Sequence, residues 1–332
     1  MGPRRIISPM AMGSGAYVLH KTVEAHICDY QVRGYHRYLT LFPFILPALV
    51  SVQGARLIHS TPDYGIFFYR KSVPLVLTFH NYVLDGSMRI YNSLLQNIHY
   101  ATDLRLWTML ALRKCHTITA VSHFTAQQVQ KDLGTTRPIR VIYNGVDVER
   151  FYPAPSSTCS RKEIRVFFSG NLTRRKGAHW LPSIAKRLRK NIRILHTQGL
   201  RTCSVLRSEP PLRCIGSVPF NDMPALYQQM DILLMPTVRE GLSLAVLEAM
   251  ACGLPIVASR CSSLPEQIDE GKGGFLCPVG DADAFAEKIN ILAESPKLRR
   301  DMGEYNRAKV EKIFTLKRMI SEYEELFESI IP

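Results

Sequence analysis

Short apolar runs alternate with polar, helix-favouring stretches along the whole chain. Ile6-Ile7 behind Arg5, Ala55–His59, Val73–His80, Thr117–Ser122 and Ile139–Tyr143 are rich in Val, Ile, Leu and Thr. Several have the roughly four-to-eight-residue length of buried strands. Between them lie a glycine turn, Gly13-Ser14-Gly15-Ala16-Tyr17, opening a helical stretch to about Tyr30, helical material to about Leu112, and a helix over Thr125–Leu133. A Pro/Ser-rich stretch, Pro153–Ser160, interrupts the pattern, which then restarts. Strands are predicted at Ile164–Ser169, Ile192–His196, Ile232–Pro236 and Ile256–Ala258. Helices are predicted at Trp180–Leu188, Met223–Gln229, Leu244–Ala251 and Ala284–Leu292, with amphipathic helices from about Lys297. Strand–helix alternation of this kind predicts an α/β protein with parallel sheets. A chain of 332 residues exceeds what one core usually serves, so two domains are expected, with the boundary in the Pro/Ser-rich stretch.

Composition changes this picture in one respect. The chain is 46% apolar and 21% charged, as ordinary globular proteins are, but its net charge is +14. That excess points to an anionic partner: nucleic acid, an acidic membrane surface or a phosphorylated small molecule. Residues 1–155 carry 16 Lys and Arg against 8 Asp and Glu, so +8, and the rest carries +6. The eight cysteines are scattered without Cys-x-x-Cys spacing, which speaks against a zinc site or disulfide framework and for a reducing, cytoplasmic setting. Met1–Arg5 lead only into a short apolar strand, so no secretory signal is expected, and Ile6 stands where N-myristoylation needs Ser or Thr. The apolar run Leu39–Val50 is broken by Pro43 and Pro47 and falls short of the roughly 20 residues that span a bilayer.

The richest chemistry lies in Glu240–Ser259. Gly241 loosens a loop, Leu244–Ala251 is a helix of good formers, Gly253 and Pro255 end it, and Ile256-Val257-Ala258 is a buried strand. A glycine loop opening a helix offers free N–H groups and a positive dipole end, a cradle for a diphosphate. Glu240 and Glu248 bracket the helix, placed to accept hydrogen bonds from sugar hydroxyls. Taken alone, the stretch is equally compatible with an ordinary buried helix flanked by two surface charges. Glu240, seven residues, Glu248, then Ala249-Met250-Ala251-Cys252-Gly253-Leu254-Pro255-Ile256-Val257-Ala258, closely resembles the nucleotide-sugar signature of the retaining group 1 glycosyltransferases. Asn144-Gly145-Val146-Asp147, Pro265-Glu266 and Gly273-Gly274-Phe275 continue that resemblance.

The resemblance implies a GT-B fold, two Rossmann-like domains facing across a cleft. The acceptor-side domain would span residues 1–155, with the C-terminal helix (about 315–332) packed back on it, and the donor domain 156–314. It implies a nucleoside-diphosphate sugar donor, UDP- or GDP-linked, and a glycan or lipid-linked acceptor, with no cofactor and no metal. In Gly170-Asn171-Leu172-Thr173-Arg174-Arg175-Lys176-Gly177, Lys176 matches the family lysine that faces the leaving diphosphate. Asn171 stands in place of the family arginine, so Arg174 or Arg175 must supply that charge. By the same resemblance Gly216 and Val218 hold the base, Gly241, Leu242, Ser243 and Leu244 the diphosphate, Glu248 the ribose and Glu240 the sugar. His80, with His59 as a weaker candidate, lies near the transferred sugar, and Gly15 lies in a loop facing the donor's phosphates. Gly13-x-Gly15 by itself also fits a tight turn made for packing.

Two segments admit rival readings. Tyr35–Val50 reads either as a kinked core helix or as an interfacial segment that seats the protein on anionic lipid at the cytoplasmic face of a membrane. Asp281-x-Asp283 has the spacing of a metal-chelating pair but opens a predicted helix, where acidic residues act as caps. Three alternative functions remain: a nucleotide-sugar epimerase on the same fold, a degenerate family member, and a non-catalytic basic protein that binds nucleic acid. The last expects a basic helix or aromatic platform, and the sequence has neither.

Overall fold

The computed structural model describes residues 5–154, 163–198 and 210–331. They form two compact units, Met1–Asn144 with Arg318–Pro332, and Gly145–Lys317. Most of the expected linker Pro153–Ser160 lies outside the described residues.

The first unit holds a six-stranded parallel sheet. Its strands are β1 Ile6–Ala11, β2 Tyr30–Tyr35, β3 Leu57–Ser60, β4 Leu75–Phe79, β5 Thr117–Ala120 and β6 Ile139–Val141, in the order β2-β1-β3-β4-β5-β6. Helices α1 Gly15–His26, α2 Leu46–Leu49, α3 Leu94–Ala101, α4 Asp103–Lys114 and α5 His123–Leu133 connect them. β3 and β4 are buried at every position, as strands covered on both faces must be. The order reverses at β1/β3, because the chain winds outward from there in both directions.

Strand β2 did not emerge from the hydrophobic pattern. Tyr-Gln-Val-Arg-Gly-Tyr lies at the sheet edge, where Gln31 is exposed and only the terminal tyrosines are buried. The helix before it ends at His26, not near Tyr30. Segment 36–50 is neither a kinked core helix nor a single element. It consists of 3₁₀ turns at Arg37–Leu41 and Pro43–Ile45 followed by α2. Proline at 43 and 47 fits only first-turn positions, so the chain restarts each time.

The second unit repeats the architecture. Its sheet contains β7 Ile164–Phe168, β8 Ile192–His196, β9 Leu212–Cys214, β10 Ile232–Met235, β11 Ile256–Ser259 and β12 Gly274–Cys277, all parallel. The order β12-β11-β10-β7-β8-β9 is that of a dinucleotide-binding sheet, and its reversal falls between β7 and β10. Helices α6 Leu181–Ala185, α7 Met223–Tyr227, α8 Leu244–Ala251, α9 Leu264–Gln267, α10 Ala282–Glu294 and α11 Pro296–Ile313 flank it. One core runs through Val166, Phe168, Leu181, Ile184, Ile194, Leu234, Val257 and Phe285. The last helix, α12 Leu316–Ile330, buries Tyr323 and Phe327 against Tyr30 and His59 of the first unit's sheet.

Candidate functional site

Open α/β sheets bind ligands beyond the carboxyl ends of their strands, where the strand order reverses. In the second unit that point is flanked by the loop after β7, Ser169–Gly177, and the loop after β10, Pro236–Ser243.

Glycine chemistry seats the first loop on the second. Gly177 has φ +75°, and a β-carbon there would fall 1.8 Å from the Pro236 carbonyl oxygen. No other residue fits, so the end of the basic loop lies directly on the exit of β10. Val238 N–H donates to Arg175 O (2.9 Å), and the Arg175 guanidinium donates to Arg239 O (3.0 Å).

Glu240 occupies the centre of this arrangement. Its carboxylate accepts from Lys176 Nζ (2.7 Å) and from the Thr237 hydroxyl (2.8 Å), both at Oε1. Its backbone N–H donates to Ser262 Oγ (2.9 Å), and its carbonyl accepts from Ser263 Oγ (3.2 Å). Ser262 has φ +48°, an unfavoured conformation for a serine, and such outliers concentrate at working sites. Glu240 is buried, which pushes its carboxyl upward, but Lys176 and Arg175 outweigh this and hold it below the usual glutamate range. It is a fixed anion paired with a partly exposed cation.

Glu248 is built differently. It sits one turn inside α8, mostly buried, and Oε2 accepts a 2.8 Å hydrogen bond from the fully buried Tyr227 hydroxyl. Burial raises its carboxyl to about 7, against the smaller opposing effects of Tyr227 and Arg150. The two signature glutamates are thus set to opposite protonation behaviour by their surroundings.

The amides at the start of α8 are only partly available. Ser243 N–H donates to Gln267 Oε1 (3.0 Å), and Gln267 Nε2 donates back to Ser243 O (2.9 Å). Of the amides expected to face a diphosphate, that of Ser243 is therefore engaged by a side chain from α9. Leu244 and Ala245 open the helix, where N–H groups have no partner within the helical ladder.

The structure brings Arg175, Lys176, Glu240, Gly241, Leu242, Ser243, Leu244 and Glu248 together in one unit around one reversal point. Arg174, next to them in sequence, is exposed. Gly216 (φ +80°) and Val218 are half-exposed in the turn after β9, at the sheet edge. Gly15 and His80 belong to the first unit, after the carboxyl ends of β1 and β4. Gly15 is the first residue of α1 behind the cap Ser14, whose Oγ accepts from Tyr17 N–H (3.0 Å), and a β-carbon at Gly15 would meet nothing. His80 is bonded to His20, and His59 is wholly buried. Four further residues at the site carried no expected role: Gln267, although it lies in the Pro265–Ile268 stretch that continues the family resemblance, Tyr227 in a predicted helix, and Thr237 and Ser262. For Thr237 and Ser262 the only sequence signal is a place just after a strand, which many serines and threonines share. Asp281 caps α10 by accepting from Ala284 N–H (3.0 Å), and Asp283 pairs with Arg187. Among the described residues no cluster of His, Cys, Asp and Glu has the arrangement of a metal site.

A cationic glycine loop and a helix N-terminus flanking the reversal of a doubly wound sheet define an anion-binding α/β site of the nucleotide-binding class. Comparison with known proteins narrows the class. Residues 5–150 match the family model for Glycosyltransferase Family 4, and residues 163–295 that for Glycosyl transferases group 1. The chain belongs to the group 1 glycosyltransferases and has their GT-B fold. It is 27% identical over 228 residues to N-acetyl-alpha-D-glucosaminyl L-malate synthase of Bacillus anthracis, covering 64% of this chain and 60% of that protein. Over 238 residues it is 30% identical to D-inositol 3-phosphate glycosyltransferase of Corynebacterium jeikeium, covering 63% and 57%. The matches thus span about three fifths of the length of these relatives. Among solved structures, sucrose-phosphate synthase from Thermosynechococcus elongatus superposes with a TM-score of 0.82 at 18% identity, covering 98% of this chain and 99% of that one. Anabaena HepE, solved in complex with UDP and glucose, gives 0.78 at 17% identity, covering 98% and 100%.

Proposed function

We propose that this protein transfers a hexose from a nucleoside-diphosphate sugar to an acceptor hydroxyl with retention of anomeric configuration. The observation that carries this reading is the Lys176–Glu240 pair, held at the sheet reversal beside the start of α8. Lys176 and Arg175 neutralise the departing diphosphate together with the amides at the α8 start. Arg175 takes the role left open by Asn171: its guanidinium already contacts the Arg239 carbonyl, next to Glu240. Glu240 holds sugar hydroxyls and supports positive charge at the anomeric carbon, Glu248 holds the ribose, and His80 orients a sugar hydroxyl. No metal is expected to be required, because Lys176, Arg175 and the α8 amides meet the diphosphate, while Asp281 caps α10 and Asp283 pairs with Arg187. UDP is the favoured nucleotide, because HepE was solved with UDP and with UDP-glucose. The test is hydrolysis of a panel of UDP- and GDP-sugars in EDTA, with the released anomer read by NMR. Slow release of sugar with retained configuration from one donor supports the reading. Inversion, or turnover of the donor to an isomer with no acceptor, overturns it.

The acceptor is a glycan or a lipid-linked molecule in cell-surface polysaccharide, lipopolysaccharide or glycolipid synthesis, and the lipid-linked form is favoured by the surface of the first unit. Leu41, Phe42 and Phe44 in the turns after β2 are exposed, Phe44 by 75%. Phe44 packs edge-on to Trp107, which meets His99 of α3, and α3 exposes Leu94, Leu95 and Ile98. Exposed Arg37 lies in the turns after β2, and exposed Arg89 in the 3₁₀ turn Gly86–Tyr91 that precedes α3. Scattered apolar side chains need no explanation, but an apolar surface continued across several elements and accompanied by arginine suits an anionic bilayer. No helix among the described residues is long and apolar enough to cross a membrane. We expect the protein to float with phosphatidylglycerol vesicles, and Phe44→Ser with Leu95→Ser to remove most of that binding. Wild-type protein that stays unbound contradicts the membrane contact.

A further inference from the structure

The first unit buries a continuous chain of polar side chains on the sheet face beneath α1 and α12. It starts at the Leu77 carbonyl and ends at His80. Thr119 Oγ1 lies 3.4 Å from Leu77 O and 2.6 Å from Thr78 Oγ1. Thr78 Oγ1 lies 2.6 Å from His59 Nε2, and His59 Nδ1 2.7 Å from the Tyr30 hydroxyl. That hydroxyl lies 2.8 Å from His20 Nδ1, which is also 2.7 Å from Ser8 Oγ. His20 Nε2 ends the chain, 2.9 Å from His80 Nε2. The links come from α1, from β1 to β5 and from the residue after β4, and His20, His59, Thr78 and Thr119 are essentially inaccessible to water.

Such a chain has a direction. A carbonyl oxygen only accepts, so Thr119 donates to Leu77 O. Its one hydrogen is then used, so Thr78 donates to Thr119, and His59 Nε2–H donates to Thr78. Burial keeps His59 and His20 neutral, each far below the ordinary imidazole range. His59 Nδ1 is therefore the acceptor and takes the Tyr30 hydrogen. Tyr30 can then only accept from His20 Nδ1–H, a hydrogen that Ser8 shares. His20 Nε2 carries the lone pair, and His80 Nε2–H donates to it. The other titratable neighbours of the chain are the buried Tyr323 hydroxyl on α12, beside Thr78 and Thr119, whose remaining lone pairs suit a donor, and the Glu24 carboxylate of α1, which acts on Tyr30 and accepts from Val32 N–H. The reverse direction, with Thr119 donating to Thr78, gives up the 3.4 Å Thr119–Leu77 contact.

We infer that this buried chain fixes the tautomer of His80, with Nε2 protonated and Nδ1 left as an acceptor, and that Tyr30, His59 and His20 are positioning residues for the proposed sugar contact. The inference rests on the proposed role of His80 and specifies it: His80 accepts a hydrogen from a sugar hydroxyl instead of donating one. The ring is mostly buried, which keeps it neutral with its pKa lowered to about 3, so the acceptor persists at working pH. A donor sugar that lacks the contacted hydroxyl, or replaces it by a pure acceptor such as fluorine, loses the interaction. A methoxy group, which cannot donate, loses it as well.

Long-range proton–nitrogen NMR on intact, nitrogen-15-labelled protein at pH 7 reads all three tautomers directly and needs no activity. The expected pattern is Nε2–H at His80, Nδ1–H at His20 and Nε2–H at His59. Nδ1–H at His80 overturns the inference whether or not the protein is a transferase. Tyr30→Phe removes only the central hydroxyl, and Thr119→Val removes the anchor. Either variant is expected to produce a mixture of His80 tautomers and to lower kcat/KM for the donor about tenfold, the order of one hydrogen bond. Binding of the free nucleotide stays unchanged. In a His80→Ala background Tyr30→Phe adds no further kinetic loss, as expected of a residue acting through His80. An undiminished additional loss there, or an unaltered His80 tautomer in both variants, assigns the chain to structure alone and overturns the inference.

Discussion

Lys176→Ala lowers kcat by about a thousandfold, with a much smaller change in KM, because the interaction it removes strengthens as charge develops on the leaving diphosphate. The ammonium is half-buried and donates at 2.7 Å to a carboxylate that is itself buried. A cation at such a position is screened far less than one in water. The same substitution leaves Glu240 as a buried anion with only the Thr237 hydroxyl and the Arg175 charge nearby, which costs roughly 3 kcal/mol or more of stability. Kinetics and urea unfolding must therefore be measured on the same preparation. Arg174→Ala, at an exposed position, serves as the control and is expected to change kcat by less than about threefold. A Lys176→Ala enzyme that remains folded and keeps more than about a tenth of wild-type kcat contradicts the assigned role.

Donor binding and stability are expected to run in opposite directions with pH, both through Glu248. Its carboxyl rises from the ordinary 4.5 to about 7 on folding. The folded state therefore binds more protons than the unfolded state between those values, and stability falls as pH rises through the window. Below the unfolded value the penalty is absent, and above about 7 it is complete, at roughly 3 kcal/mol. Glu248→Gln is expected to remove this slope, so that urea unfolding at pH 8 finds the variant more stable than wild type and at pH 4.5 finds them similar. UDP-glucose binding behaves in the opposite sense. Ribose hydroxyls donate best to the carboxylate, so affinity rises with pH up to about 7 and then levels off, and Glu248→Gln flattens the profile. Tyr227→Phe removes the hydroxyl that favours the charged form and moves the midpoint above 7. A flat wild-type profile from pH 5 to 8 contradicts the ribose assignment.

Most of this architecture was legible in the hydrophobic pattern because parallel sheets bury both faces of their strands. Ile192–His196 and Leu244–Ala251 fall where the pattern puts them, to the residue. The exceptions are physical. β2, β9 and β12, none of them expected as strands, all lie at sheet edges, and β2 carries Gln31, Arg33 and Gly34, so it lacks the apolar run of a central strand. The turns between Arg37 and Ile45 expose apolar side chains, which makes hydrophobicity a misleading guide to burial there. At the site, the signature residues could be named from spacing, but their partners could not. Thr237 and Ser262 meet Glu240 through loop geometry, Gln267 reaches Ser243 from another helix, and Tyr227 reaches Glu248 from α7. The opposite protonation behaviour of the two glutamates follows from those partners and from burial, and neither is written in a motif. His20, His59 and His80 lie 21 to 60 positions apart in sequence, and only the sheet brings them together.

The loops after β7 and β10 are proposed to form a nucleoside-diphosphate site. Isothermal titration of UDP and GDP into the wild-type protein and into Lys176→Ala, at pH 8 with EDTA, tests it most directly. The expected result is one nucleoside diphosphate bound per chain without metal, UDP more tightly than GDP, with affinity lowered at least tenfold in the variant. A wild-type protein that unfolds cooperatively yet binds neither nucleotide, or binds one equally well without Lys176, contradicts it.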